Sequence, residues 1–325
     1  MNVPMQVNKM GPAHRCPTGC KLRSSCATQE WVEKHALAIL KKTPNETAKA
    51  IQVKLMTDYN VELPYHIVWK GKERALQTLY GDWENSFRLL YSFKAEIQSR
   101  SQGSVVEIDT KEEEGNIYFN LFMALEPCIQ GFKEGCRPYL SIDSTVLTGR
   151  WNGCLASATA LDGHNWMFPV AFGLFQSESE ANWEWFMRQL HRSIGDVSPL
   201  AISTDACKGL ANAVRTVFPH AEQRECHAHL MLNLYRHYSG TVYRYMWTAA
   251  RAYKPESYKF FMDKIHVENS DFAVYLERNH SLLWMRSAFN PAIKCDYINN
   301  NLAKTVNNWV KDSKDLPVHM LMDTI

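Results

Sequence analysis

Residues 139–175 read YLSIDSTVLTGRWNGCLASATALDGHNWMFPVAFGLF, and the fold turns on this stretch. Three runs rich in β-branched, aromatic and small apolar residues, Tyr139 to Thr148, Gly153 to Leu161 and Met167 to Phe175, are divided by two turn-forming words. These are Gly149-Arg150-Trp151-Asn152 and Asp162-Gly163-His164-Asn165, short enough to join antiparallel neighbours. Three consecutive antiparallel strands are expected. Downstream, Trp183, Phe186, Leu190 and Ile194 make an apolar stripe on a helix from about Ala181 to Ile194, and the acids Glu178 and Glu180 suit its positive end. A strand at Leu200 to Thr204, a helix from Lys208 to Val217, a short strand near His220 to Cys226 and a helix from His229 follow. The order βββαβαβα predicts an α/β fold built on a mixed sheet.

Outward from this block the rhythm changes. From Glu30 to about Ile97 apolar residues recur at helical spacing, as in Trp31, Leu37 and Leu40, then Ile51 and Leu55, then Leu76, Leu79, Phe87 and Leu90. Ser99 to Asn116, with Gly103 and the charge run Lys111 to Glu114, reads as a solvated loop or hairpin turn joining domains. Tyr235 to Lys294 is rich in aromatics without strand or Gly-turn signals and predicts an all-helical insertion. The last segment, Ile298 to Lys311, resumes a helical stripe through Leu302, Val306 and Trp309. The expected division is 1–26 as a loop-rich element, 27–115 as a helical module, 116–235 with 297–325 as the core, and 236–296 as the insertion.

Bulk composition excludes several classes. At 325 residues, 46% apolar and with 36 basic against 34 acidic side chains, the chain is long and apolar enough for a sizeable core and is not disordered. A net charge of +2 is too mild to announce nucleic-acid binding, so any such affinity must come from local patches. Nine cysteines without a leading apolar signal argue for a reducing, intracellular setting over a secreted disulfide scaffold. No run approaches the roughly 18 apolar residues of a membrane span, so a soluble protein without a membrane partner is expected. No Lys/Arg import run stands out, and a nuclear location follows only from function.

The chemistry rests on two acids. In a βββα order, a right-handed crossover lays the fourth strand beside the first as a parallel pair. Asp143 and Asp205 fall on those two strands. Paired carboxylates repel unless a cation sits between them, which makes an oxygen-ligand site for Mg²⁺ or Mn²⁺ and the basis of two-metal phosphoryl transfer. The alternative is that each Asp merely forms a turn or caps a helix.

The words around these acids resemble those of the plant Mutator-like element transposases, from about His14 to the C-terminus. Ser141-Ile142-Asp143-Ser144-Thr145 with Gly149 and Asn152-Gly153 looks like the family's first-aspartate motif. Phe168-Pro169-Val170-Ala171-Phe172, Glu180 and Asn182-Trp183-Glu184-Trp185-Phe186 match its next strand and helix. Ser203-Thr204-Asp205-Ala206-Cys207-Lys208-Gly209 resembles the second-aspartate motif, and Cys226 with His229 is similar to the family's Cys-x-x-His signature. The resemblance implies an RNase H-like Asp-Asp-Glu recombinase core, interrupted by a helical insertion, acting on DNA terminal repeats or derived sites, with a homo-oligomer as a further expectation.

Where the family's closing helix carries its glutamate, this chain has Lys304, within Asn300-Asn301-Leu302-Ala303-Lys304-Thr305-Val306-Asn307. An ammonium in place of a carboxylate removes a metal ligand and weakens divalent-cation binding by several kcal/mol. Periodicity puts Lys304 on the polar face of its helix, which is either a cleft wall or a solvated surface. Asp296 and Asp312 are nearby acids away from the aligned position. The expectation is a transposase-derived DNA-binding protein impaired in strand cleavage; the alternative is an active metal-dependent transposase.

His14 and Cys16 resemble the last two ligands of the zinc finger that precedes the core in the family. With Cys20 and Cys26 they could hold Zn²⁺, or all could be unpaired thiols. Cys226 and His229 are expected to brace the fifth strand and its helix, with His227 an exposed neighbour. Lys70, Lys72 and Arg74 beside Trp69 combine phosphate-binding cations with a stackable ring, against the alternative of a solvated helix face.

Overall fold

A computed structural model of the protein describes residues 27–43, 46–81, 83–113, 116–149, 151–205 and 207–325. The chain divides into two compact units, the first ending at Gly81 and the second beginning at Asp82.

The first unit contains α1 (Gln29–Lys42), α2 (Ala48–Tyr59) and α3 (Tyr65–Tyr80). Thr28 and Thr47 cap the first two by accepting the amides of Trp31 and Ala50, which satisfies donors that a helix start leaves open. Val32, Ala36 and Leu40 of α1 pack against Ile51, Leu55, Val68 and Ala75, all fully or almost fully buried. Gly71 is required where α1 crosses α3, because a Cβ there would lie 2.5 Å from the Val32 side chain.

The second unit opens with α4 (Trp83–Arg100), the strands β1 (Val105–Glu113) and β2 (Asn116–Ala124), and α5 (Glu126–Gly135). It continues through β3 (Tyr139–Val146), β4 (Cys154–Leu161), β5 (Met167–Phe175), α6 (Glu180–Ile194), β6 (Ala201–Thr204), α7 (Lys208–Val217) and β7 (Glu222–Glu225). Then come α8 (His227–Tyr235), α9 (Tyr243–Arg251), α10 (Pro255–Glu268), α11 (Ser270–Asn279), α12 (Asn301–Trp309) and α13 (Val318–Thr324).

Among the described residues one seven-stranded sheet forms, in the order β1-β2-β5-β4-β3-β6-β7. The β3/β6 and β6/β7 pairs are parallel; the others are antiparallel. The three strands read from residues 139–175 therefore pair as expected, and the fourth lies beside the first. Every residue of β4 is buried, which its small side chains Ala156, Ser157, Ala158 and Ala160 permit in mid-sheet. One face of the sheet, through Ile142 and Ala156, packs on Phe186 and Leu190 of α6 and Leu210 and Val214 of α7. The other, through Leu121, Leu155 and Phe172, packs on Leu90 of α4, Val306 of α12 and Leu321 of α13. The product is a three-layered mixed α/β unit.

Two expectations need correction. The stretch expected as a solvated loop or hairpin turn joining domains, Ser99 to Asn116, holds β1, an edge strand paired along its length with the next strand, β2. Its charges are the exposed half of an alternating strand: Val106 is buried while Glu107 takes Lys94 at 2.8 Å and Arg192 at 2.9 Å. The helical module expected over 27–115 accordingly divides, since α1 to α3 close a core of their own and α4 with β1 belongs to the sheet unit.

The stretch after α8 is helical. Met246, Ala249, Ile265, Phe272, Leu276 and Trp284 form a separate core with Leu230 and Leu234 of α8. The chain returns to α12 along the β7 edge, where Arg224, 1% exposed, donates to Glu222 at 2.7 Å and to the Cys295 carbonyl at 2.6 Å and lies 3.8 Å from the Phe289 ring centre.

Candidate active site

The parallel register pairs Tyr139 with Ala201, Leu140 with Ile202 and Ser141 with Ser203. Continued by two residues, it sets Asp143 opposite Asp205. Asp143 lies within β3; Asp205 sits just beyond the last residue of β6, Thr204, and not on the strand itself. Its carboxylate accepts the Cys207 amide at 3.1 Å, an Asx turn that leads into α7 and aims the acid at the strand end. Asp143 accepts the Ser144 amide at 2.9 Å. Alternation along β3 places Asp143 on the same face as Ser141 and Thr145, away from Ile142 in the α6/α7 core.

Asp143 is largely buried, and burial pushes its carboxyl up to about 6, with repulsion from Asp205 and Glu178 adding to the rise. A hydrogen bond from the Ser144 amide and the nearby His229 oppose it. A buried acid beside a second acid favours either a proton or a cation between them. Glu178, which sequence reading took for a helix-end acid, hydrogen-bonds the Ser144 hydroxyl and is felt by Asp143, Cys154 and Cys207 alike. Only the fold brings it there, because the β5 to α6 turn ends over the β3 end; no spacing in the sequence signals this.

Cys226 is the N-cap residue of α8, and His229 lies in its first turn. Burial pushes the Cys226 thiol up, but hydrogen bonds from His229 and the Asn300 amide outweigh it and hold it below its ordinary value. The Asn300 amide lies 3.1 Å from the Cys226 sulfur. His229 is held above its ordinary value by that thiol, and Asp205 and Asp143 add to the effect. His227, expected to be exposed, is fully buried, with its ring 4.4 Å from Trp247 and 5.9 Å from Trp284. The correction follows from helix geometry: residues 227, 230, 231 and 234 face the helical insertion, which sequence could not place. Burial pushes His227 down to about 4, against the opposing pull of the Met246 backbone.

Asn300 at the head of α12 is the main link between the closing helix and the acid-bearing strand. Its amide nitrogen donates to the Ile142 carbonyl at 3.0 Å and its oxygen accepts the Ser141 hydroxyl. Lys304, four residues on, is exposed and makes no ion pair with Asp143 or Asp205. Lys314, from the turn after α12, reaches the Thr145 hydroxyl on the acid-bearing face. Asp296 instead bonds Tyr253 and Arg286, and Asp312 lies in a 3-10 turn after α12.

Among the described residues no three His, Cys, Asp or Glu side chains come close enough to enclose a metal ion. Two carboxylates still match the donor chemistry of a hydrated Mg²⁺, which keeps several waters and takes one or two carboxylates. In the first unit, Lys70 is exposed beside Trp69, whereas Arg74 is engaged by Glu30 and Glu33 at 2.9 Å each. His14, Cys16, Cys20 and Cys26 lie outside the described residues. No described helix is long and apolar enough to cross a membrane.

The mixed α/β fold thus brings Asp143, within β3, near Asp205, just past the end of the parallel strand β6. Residues 139–233 match the family model of the MULE transposase domain. It is 30% identical over 90 residues, 28% of this chain, to Protein FAR1-RELATED SEQUENCE 6 of Arabidopsis thaliana, and spans 13% of that protein. It is 26% identical over 133 residues, 39% of this chain, to a PKS-NRPS hybrid synthetase, cheA, of Chaetomium globosum, and spans 3% of it.

Proposed function

We propose that this protein binds DNA through an RNase H-like transposase core that keeps the acid pair and is impaired in strand cleavage. The observation that carries the reading is the β3/β6 register, which aligns Asp143 with Asp205 inside the matched MULE segment. The partial order β5-β4-β3-β6-β7, with β4 antiparallel and the last three strands parallel, supports the RNase H-like assignment.

When bound, Mg²⁺ or Mn²⁺ would supply Lewis-acid activation of a phosphodiester. Asp143 and Asp205 would hold it, and ionised Asp143 gains most, because a cation relieves both its burial and its repulsion by Asp205. Asn300 fixes the backbone of β3 beside Asp143, and Asp205 is aimed by the Cys207 amide. Lys304 contributes no ligand from α12.

The second reading, an active metal-dependent transposase, draws on Glu178, whose charge is felt at Asp143. The two readings separate in one assay. The chain and its Lys304→Glu variant are incubated with Mn²⁺ and terminal-repeat DNA, and strand breaks are resolved on a denaturing gel. Impairment predicts at least a tenfold gain by the variant over a weak or silent parent. Robust metal-dependent cutting by the parent, lost in Glu178→Gln, would establish the second reading instead.

A further inference from the structure

Beyond the acid pair, α7, the end of β7, α8 and the C-terminal end of α11 enclose a cleft of about 390 Å³ whose wall includes Asp205. This volume is in the range of small-ligand sites. Three exposed cations, Lys208, Arg215 and Arg236, line it. None of them takes part in an ion pair of the described residues; Arg215 donates only a 3.5 Å bond to Asn212.

The cleft's acids do not neutralise these cations. Glu225 and His280 are both buried and pair with each other at 2.8 Å. Asp205 accepts the Cys207 amide and forms no ion pair among the described residues. Tyr275 lines the same cleft, its ring 5.3 Å from His237 and 6.1 Å from His280. Unpaired cations and aromatic rings lining one concavity match the two needs of single-stranded nucleic acid, which are phosphate neutralisation and a surface for base stacking. A duplex keeps its bases stacked on one another, so it could touch the rim but would leave the aromatic wall unused.

We propose that this cleft holds an unpaired nucleotide of the DNA strand that reaches Asp205, its phosphate against Lys208, Arg215 and Arg236 and its base against Tyr275. The helical insertion thereby gains a task, since Tyr275 of α11 completes a binding site begun by α7 and α8. This rests on the DNA-binding reading above and names the form of DNA that the site takes.

The test is fluorescence polarisation of the full chain at low salt, without divalent metal, on two labelled DNAs of identical sequence. One is a blunt duplex; the other carries a short unpaired stretch. The parent is expected to prefer the DNA with unpaired bases. The double variant Arg215→Glu with Arg236→Glu should lose at least tenfold in affinity for it while duplex binding changes less than twofold. The salt slope for that DNA should flatten by about 1.4, at about 0.7 per lost single-strand contact. Tyr275→Ala should weaken it by about 5- to 100-fold, with Tyr275→Phe restoring it, as expected for one stacked base. Thermal melts of each variant matching the parent keep misfolding from mimicking this pattern.

Equal affinity of the parent for both DNAs, or variants that weaken both alike, would overturn the cleft assignment and leave the DNA-binding reading intact. Failure of the parent to bind either DNA would overturn both.

Discussion

Asp143 and His227 carry opposite pH signatures, and both trace to burial. The carboxyl of Asp143 lies near 6 when folded, above its ordinary 3.8, so its folded state favours the proton. Its contribution to stability is fully present below pH 4 and is lost as pH rises through about 6. His227 is pushed down to about 4 from 6.5, so its contribution is present above 6.5 and is lost as pH falls through 4. Each shift corresponds to about 3 kcal/mol. In metal-free protein the two trends offset each other in the parent and separate in single variants. Asp143→Asn should raise stability at pH 7 by about 2 to 3 kcal/mol and leave it unchanged near pH 4, read from urea midpoints at both pH values. Adding Mn²⁺ should raise the melting temperature of the parent more than that of Asp143→Asn. His227→Phe keeps the ring contacts with Trp247 and Trp284 while removing the titrating imidazole, and should abolish the acid-side loss.

At the scale of elements, Asn300 adds hydrogen bonds to the apolar packing of Val306 in holding the closing helix to the sheet. Asn300 bonds both the Ser141 hydroxyl and the Ile142 carbonyl, and is itself 1% exposed. Asn300→Ala strands these buried partners and should cost about 2 to 4 kcal/mol, seen as a lower urea midpoint. Amide hydrogen exchange should then quicken in α12 before it quickens in β4, since β4 is covered on both faces. The motif words were legible in sequence because strand alternation, helix stripes and turn residues are local. The edge strand β1 was not, because its outward half, Glu107, Asp109 and Lys111, has the composition of a loop. What makes it a strand is its pairing with β2, a partner with no mark in the local sequence.

At the scale of the molecule, the two units each bury their own core, Val32, Leu40, Ile51 and Leu55 in one and the two sheet faces in the other. A cavity in the first should therefore report there. Leu55→Ala, at a site 1% exposed, should cost that unit about 2 to 5 kcal/mol and speed exchange of α1 to α3 amides, with protection of β3 to β5 unchanged. Loss of protection in both units together would show that they unfold as one.

The sequence by itself determined the strands at 139–175 and the helices that follow, since each rests on residue type at fixed local spacing. It also singled out Asp143 and Asp205, because the surrounding words are those of a known motif. Tertiary structure alone decided that Glu178 approaches Asp143, that His227 is buried, that Asn300 ties α12 to β3, and that Arg215, Arg236 and Tyr275 share one cleft. These residues lie 20 or more positions apart in the pairings that matter, and what joins them is the parallel β3/β6 register and the docking of the helical insertion. Proximity of that kind is set by how faces pack, and it leaves no periodic trace in the chain.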